Sequence, residues 1–161
     1  MDDRLWSINN KTTMLEQTIN QEIKAAMLAK NEARLRGLRA IKAALLLAKT
    51  EKGASEEISE DTEIKVLQKL AKQRRESAEI YKSQNRDDLF TIEVEELEVI
   101  ESFLPKQLSR EEVESQIKAI INSSGASSVK DMGKVMGLAN KQLAGKADGK
   151  MISEIVKQLL S

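Results

Sequence analysis

The stretch GKADGK, residues 145–150, carries the residue types of a phosphate-binding loop: glycines that free the backbone and lysines that carry charge. A Walker A loop needs Gly, four residues, then Gly-Lys and Ser or Thr, all placed after a strand. Here three residues separate Gly145 from Gly149, Lys150 is followed by Met151, and no strand pattern precedes. The spacing excludes a nucleotide loop. The stretch reads as a turn between helices, with Asp148 as an N-cap. Lys146 and Lys150 lie close to a helix start, where free amides favour an anion.

Catalytic groups are scarce. The chain has no His and no Cys, which removes the commonest general base, thiolate nucleophiles, disulfides and most metal-ligand sets. Residues 87–101 hold Asp87, Asp88, Glu93, Glu95, Glu96, Glu98 and Glu101 with no base. These acids share one helix and lack an aromatic sugar platform, so they read as a solvated face rather than a glycosidase pair. SSGASSVKD contains Ser and Lys, as Ser-Lys hydrolases do, but in the arrangement of any polar loop. No catalytic residue, metal ligand or cofactor site is expected.

The bases are the better lead. Net charge is zero, but it is segregated: residues 24–49 carry seven bases against Glu32 alone, and residues 65–86 carry seven bases against two acids. Arg36 and Arg39 lie three apart on a helix pattern, and Lys69, Lys72, Arg74 and Arg75 cluster further on. Such groups suit phosphate backbones, because each contact releases a counterion. Aromatic interleaving for stacking on single strands is missing, with one Trp, one Tyr and two Phe in the whole chain.

The elements that must position these residues are helices. The 161 residues are rich in unbranched helix formers, poor in aromatics, and contain one Pro. Residues 1–13 read as a flexible leader. Thr13 to Glu16 forms a capping box that starts a helix with Leu15, Ile19, Ile23 and Met27 inward. Asn31 caps a second, bearing Leu35, Leu38, Ile41 and Leu45 and ending near Gly53, so that the two form an antiparallel pair. A third is expected from about Glu60 to Ser83 and a fourth from Asp87 to Phe103. Pro105 and a second capping box at Ser109–Glu112 place a boundary there.

Beyond it, three short helices are expected: one bearing Val113, Ile117, Ile120 and Ile121 and closed by Gly125, one bearing Val129, Met132, Val135, Met136 and Leu143, and one after Gly149. Gly133 and Gly137 within the second imply close approach of another backbone, since each costs about 1 kcal/mol relative to Ala. The fold class is therefore all-α: a helical domain over 14–104 and a three-helix tail domain over 105–161. No apolar run reaches the roughly 18 residues of a membrane span, and the first residues lack a signal core. Together with the missing Cys, this reads as a cytoplasmic protein with no membrane partner.

Five ordered blocks sharpen this picture: MLAKNEARLRGLRAIKAAL, KQRRESAEIYKSQNRDDL, LPKQLSREEVE, GASSVKDMGKVMG and GKADGKMISEIVKQLLS. Together, from about Met14 to Ser161, they resemble the GatB/YqeY family. That family contains free-standing YqeY-like proteins and the C-terminal part of the B subunit of glutamyl-tRNA(Gln)/aspartyl-tRNA(Asn) amidotransferase. The resemblance implies an all-helical, two-part fold and a partner in tRNA or another structured RNA, with amidotransferase or translation-related proteins as further partners. It also implies a link to carbon-nitrogen ligase activity with glutamine as amido donor, although the kinase and amidase parts of that machinery lie in domains this chain lacks. The matching positions with RNA roles are Arg39, Lys42, Lys72, Arg74, Arg75, Lys130, Lys134, Lys146 and Lys150.

Overall fold

A computed structural model describes residues 13–51 and 58–161. Trp6, the rest of the expected leader before Thr13, and the expected helix end at Gly53 lie outside the described residues. Among those residues there are seven α-helices, one 3₁₀ turn and no strand. The helices are α1 (Met14–Leu28), α2 (Glu32–Glu51), α3 (Glu60–Ser83), α4 (Asp87–Glu101), α5 (Arg110–Ser124), α6 (Met132–Gln142) and α7 (Gly149–Leu160), with the 3₁₀ turn at Val129–Asp131 before α6. Contacts divide the chain into two compact units, one through Phe103 and one from Leu104 to Ser161.

In the first unit, α1 starts where its capping box predicts. The Glu16 amide donates to Thr13 Oγ1 at 3.2 Å, and the Thr13 amide donates to Glu16 Oε2 at 3.3 Å. Asn31 caps α2 by accepting from the Arg34 amide at 3.1 Å. Glu22 near the end of α1 pairs with Arg34 near the start of α2, while Glu16 pairs with Lys49 at the other ends, so the two helices run antiparallel. Leu38, Ile41 and Leu45 are fully buried along α2, as expected.

The inward face of α1 differs from the expected one: Ile19 and Ala26 are buried, whereas Met27 is 54 % exposed. A strict four-residue step overshoots the 3.6-residue turn by about 40° each time, so by Met27 the line has rotated off the core. Two helix–helix turns among the described residues of this unit end in a left-handed residue, Lys30 at φ 54° and Asn85 at φ 57°. In each, the next amide reaches back five residues, Asn31 to the Ala26 carbonyl and Arg86 to the Tyr81 carbonyl, both at 2.9 Å, which closes a Schellman motif.

Helix α4 packs against α3 and α2. Gly37 permits the second contact: a Cβ there would lie 2.7 Å from Val99 Cβ, closer than carbon atoms tolerate. The backbone of α2 therefore rests directly on the α4 side chain.

The second unit has its own core, in which Val113, Ile117, Val135, Leu143, Ile155 and Val156 are buried. Ser109 and Glu112 form the predicted capping box of α5, and Gly125 ends that helix at φ 73°. Val129, expected inward, is 55 % exposed. It sits in the 3₁₀ turn, where three residues make a turn, so the α-helical phase that buries Val135 begins only at Met132. Gly133 and Gly137 also depart from expectation: beyond the local backbone of their own helix, nothing among the described residues lies within 4 Å of where either Cβ would be, so no close approach among those residues explains them.

Candidate nucleic-acid interface

The bases singled out by sequence fall into three physical situations. The first is engagement with the acidic helix. Arg74 Nε lies 2.9 Å from Glu96 Oε2 and 3.8 Å from Glu93 Oε2, with all three side chains less than a quarter exposed. Nearby, Arg36 Nη2 donates to Glu95 Oε2 at 2.7 Å. The acids of α4 are thus not a purely solvated face, as the sequence implied; they hold α4 to α3 and α2 through arginines. Burial pushes the Glu93 carboxyl above its ordinary range, and the nearby Arg74 guanidinium opposes that shift. Arg74 Nε and Glu93 Oε2 are also buried without a hydrogen bond among the described residues. This contact is electrostatic rather than directional, and it occupies Arg74.

The second situation is exposure in the first unit. Arg39 and Lys42 stand exposed one turn apart on α2, and Arg75 is exposed on α3 next to the engaged Arg74. Lys72 is half-buried. Adjacent residues on a helix point about 100° apart, which is how Arg74 and Arg75 come to have opposite environments.

The third situation is the second unit, where Lys130, Lys134, Lys146 and Lys150 are all exposed. Lys130 lies in the 3₁₀ turn, and Lys134 reaches the Ser124 carbonyl with its ammonium at 3.5 Å. Asp131, the acid between them, turns inward to its own loop and accepts from the Ser127 and Ser128 amides. Residues 132–147 contain three lysines, Lys134, Lys141 and Lys146, and no acid. Lys141 is exposed and lies seven residues from Lys134, two helical turns along the same face. Sequence reasoning left it out of the site; that seven-residue spacing was the signal that could have placed it there.

GKADGK joins α6 to α7 as a pinned turn. Gly145 takes φ 76°, a conformation that favours glycine. Gln107 Nε2 donates to the Gly145 carbonyl at 2.7 Å, and the Leu108 amide donates to the Lys146 carbonyl at 2.9 Å. The Asp148 carboxylate caps α7 by accepting from the Lys150 amide at 3.3 Å. That carboxylate occupies the ground a phosphate would take at the helix end. The ammonium groups of Lys146 and Lys150 are left as the parts of this turn that can meet an anion.

Among the described residues, no group of three or more carboxylates gathers in a way that could hold a metal ion, and no helix is long and apolar enough to cross a membrane.

Comparison with known proteins places these features in a family. The chain is 32 % identical over 110 residues to altered inheritance of mitochondria protein 41, mitochondrial, of Clavispora lusitaniae, a match covering 67 % of this chain and 63 % of that protein. It is 37 % identical over 90 residues to the protein of the same name from Meyerozyma guilliermondii, covering 54 % of this chain and 44 % of that one. The chain thus matches between about two fifths and two thirds of the length of these relatives. Their names overturn the cytoplasmic placement read from the sequence: both relatives are mitochondrial proteins. The features behind that placement, absent Cys and no apolar signal core, do not discriminate between the cytoplasm and the inside of an organelle. The model of the YqeY-like protein family matches residues 16–160, nearly the whole described chain, and the protein belongs to that family.

Proposed function

We propose that this protein is a tRNA-binding or tRNA-related accessory protein that holds structured RNA by charge and shape, with no catalysis of its own. The observation that carries the reading is the acid-free run 132–147, whose lysines are exposed on a folded, separately cored unit, while Asp131 just before the run is turned into its own loop. Lysines on one helix face meet successive phosphates as point charges, and the affinity is then dominated by counterion release. Arg39, Lys42 and Arg75 on the first unit extend the same chemistry; Arg74 does not, because α4 holds it.

The test is fluorescence anisotropy with labelled total tRNA at two salt concentrations. Binding at low salt that weakens by orders of magnitude on raising the salt a few-fold is the expected result. No binding at low salt rejects the reading, and binding indifferent to salt rejects the phosphate mechanism.

A further inference from the structure

Between α1 and α2 lies an open groove of about 170 Å³, lined by Glu16, Ile19, Asn20, Lys42, Leu45, Leu46 and Lys49. Its floor is apolar, with Ile19 and Leu45 each 1 % exposed. A cavity near this size accommodates a benzene ring, so one aliphatic or aromatic side chain fits. The apolar surface continues outward over Leu46, which lines the groove and is 62 % exposed.

The rim is basic. Arg39, Lys42 and Lys49 join Leu46 at spacings of three, four and three residues, one continuous face of α2. Between Glu32 and Glu51 that helix has no acid. The one carboxylate in the groove, Glu16, is matched by Lys49 at 3.6 Å. The apolar floor, the exposed Leu46 and the exposed bases Arg39 and Lys42 together specify an occupant whose apolar anchor is flanked by carboxylates.

We infer that the α1–α2 groove docks an acidic amphipathic helix of a partner protein, with one apolar side chain seated over Ile19 and Leu45, and its carboxylates meeting Arg39 and Lys42. This is helix-in-groove recognition, in which anchors at i, i+3, i+4 and i+7 supply affinity and the rim charges set orientation and selectivity. RNA uses the bases but gains nothing from Leu46. Arg39 and Lys42 are also among the bases of the RNA reading, but the observation that carries that reading lies on the second unit.

The test titrates the full, methyl-labelled chain with a synthetic helix of about five turns, leucines at the anchor spacing and glutamates elsewhere. Saturable shifts of the Ile19, Leu45 and Leu46 methyl resonances are expected. A matched peptide with lysines for glutamates should leave them in place. Leu46→Ser and Lys42→Glu, both at exposed positions, should each weaken binding about tenfold. Unmoved methyls in the unaltered chain overturn the inference, as does equal binding of the acidic and basic peptides. Total tRNA that moves these same methyls and displaces the acidic peptide would assign the groove to RNA and likewise overturn it.

Discussion

Glu63 is the one charged residue among those described that is buried, 4 % exposed in the first turns of α3. The Thr13 hydroxyl donates to its Oε2 at 3.4 Å, so α3 is fastened to the cap of α1. Burial raises its carboxyl above the ordinary value; the Thr13 hydrogen bond opposes this, and the like charges of Glu16 and Glu60 add to it. A raised acid means the folded state binds the proton more tightly than the unfolded one, so its stabilising contribution is full below the ordinary Glu range and fades as pH rises through the raised value. Glu63→Gln keeps an acceptor for Thr13 and removes the buried charge. Its melting temperature should exceed the parent's at neutral pH, and the gap should close as the pH is lowered into the carboxylate range. A gap that does not change with pH would show that the charge is not what the substitution relieves. Gly37 is the second residue with a sharp expectation. Gly37→Ala gains about 1 kcal/mol of helix propensity but drives a Cβ into Val99, and the net effect should be a loss of about 1–3 kcal/mol by denaturant unfolding. Because the nearest atom is Val99 Cβ itself, adding Val99→Ala should not rescue it. Rescue would mean that α2 and α4 do not meet this closely.

Elements were the scale most open to reading from sequence. The span expected for α3, about Glu60 to Ser83, is the span observed, because Ser59 caps its start and the apolar positions 67, 70, 71 and 78 keep one phase. The two predicted capping boxes also form as written. Hydrogen bonds of this kind are local, so four residues suffice to specify them. Pairings across helices are not local, and no run of sequence announces that Arg36 and Arg74 face the acids of α4 or that Gly37 meets Val99. For the same reason the candidate site was legible as a set of bases but not as a surface: Arg74 and Arg75 look alike until α4 is packed. The turns carry a prediction of their own. Lys30 sits at a left-handed position where a side chain costs about 1 kcal/mol, whereas Asn85 in the equivalent turn is a residue that tolerates it. Lys30→Gly should therefore stabilise the chain by about 0.5 kcal/mol after the entropy cost of glycine, and Asn85→Gly should do less. A destabilised Lys30→Gly in denaturant titration would remove the strain argument.

At the scale of the whole molecule, a net charge of zero conceals two kinds of base, those neutralised inside the fold and those left exposed. Arg74 and Arg75 are neighbours in sequence and belong to different kinds, which makes them an internal control. Arg74→Ala removes the cation from Glu93 and Glu96, leaving half-buried carboxylates without it, and should lower stability by about 1 kcal/mol. Any loss of RNA affinity it produces then follows from a loosened α3–α4 contact. Arg75→Glu and Lys134→Glu, at exposed positions, should leave the unfolding midpoint unchanged. If the proposed RNA binding operates through these side chains, each reversal weakens tRNA binding and reduces the slope of log affinity against log salt by about one. The two positions lie on separate units, so a slope that responds to Lys134→Glu but not to Arg75→Glu assigns the RNA to the second unit alone. Unfolding curves and anisotropy titrations on the same three variants resolve this, and a slope unmoved by both reversals removes these two bases from the contact surface.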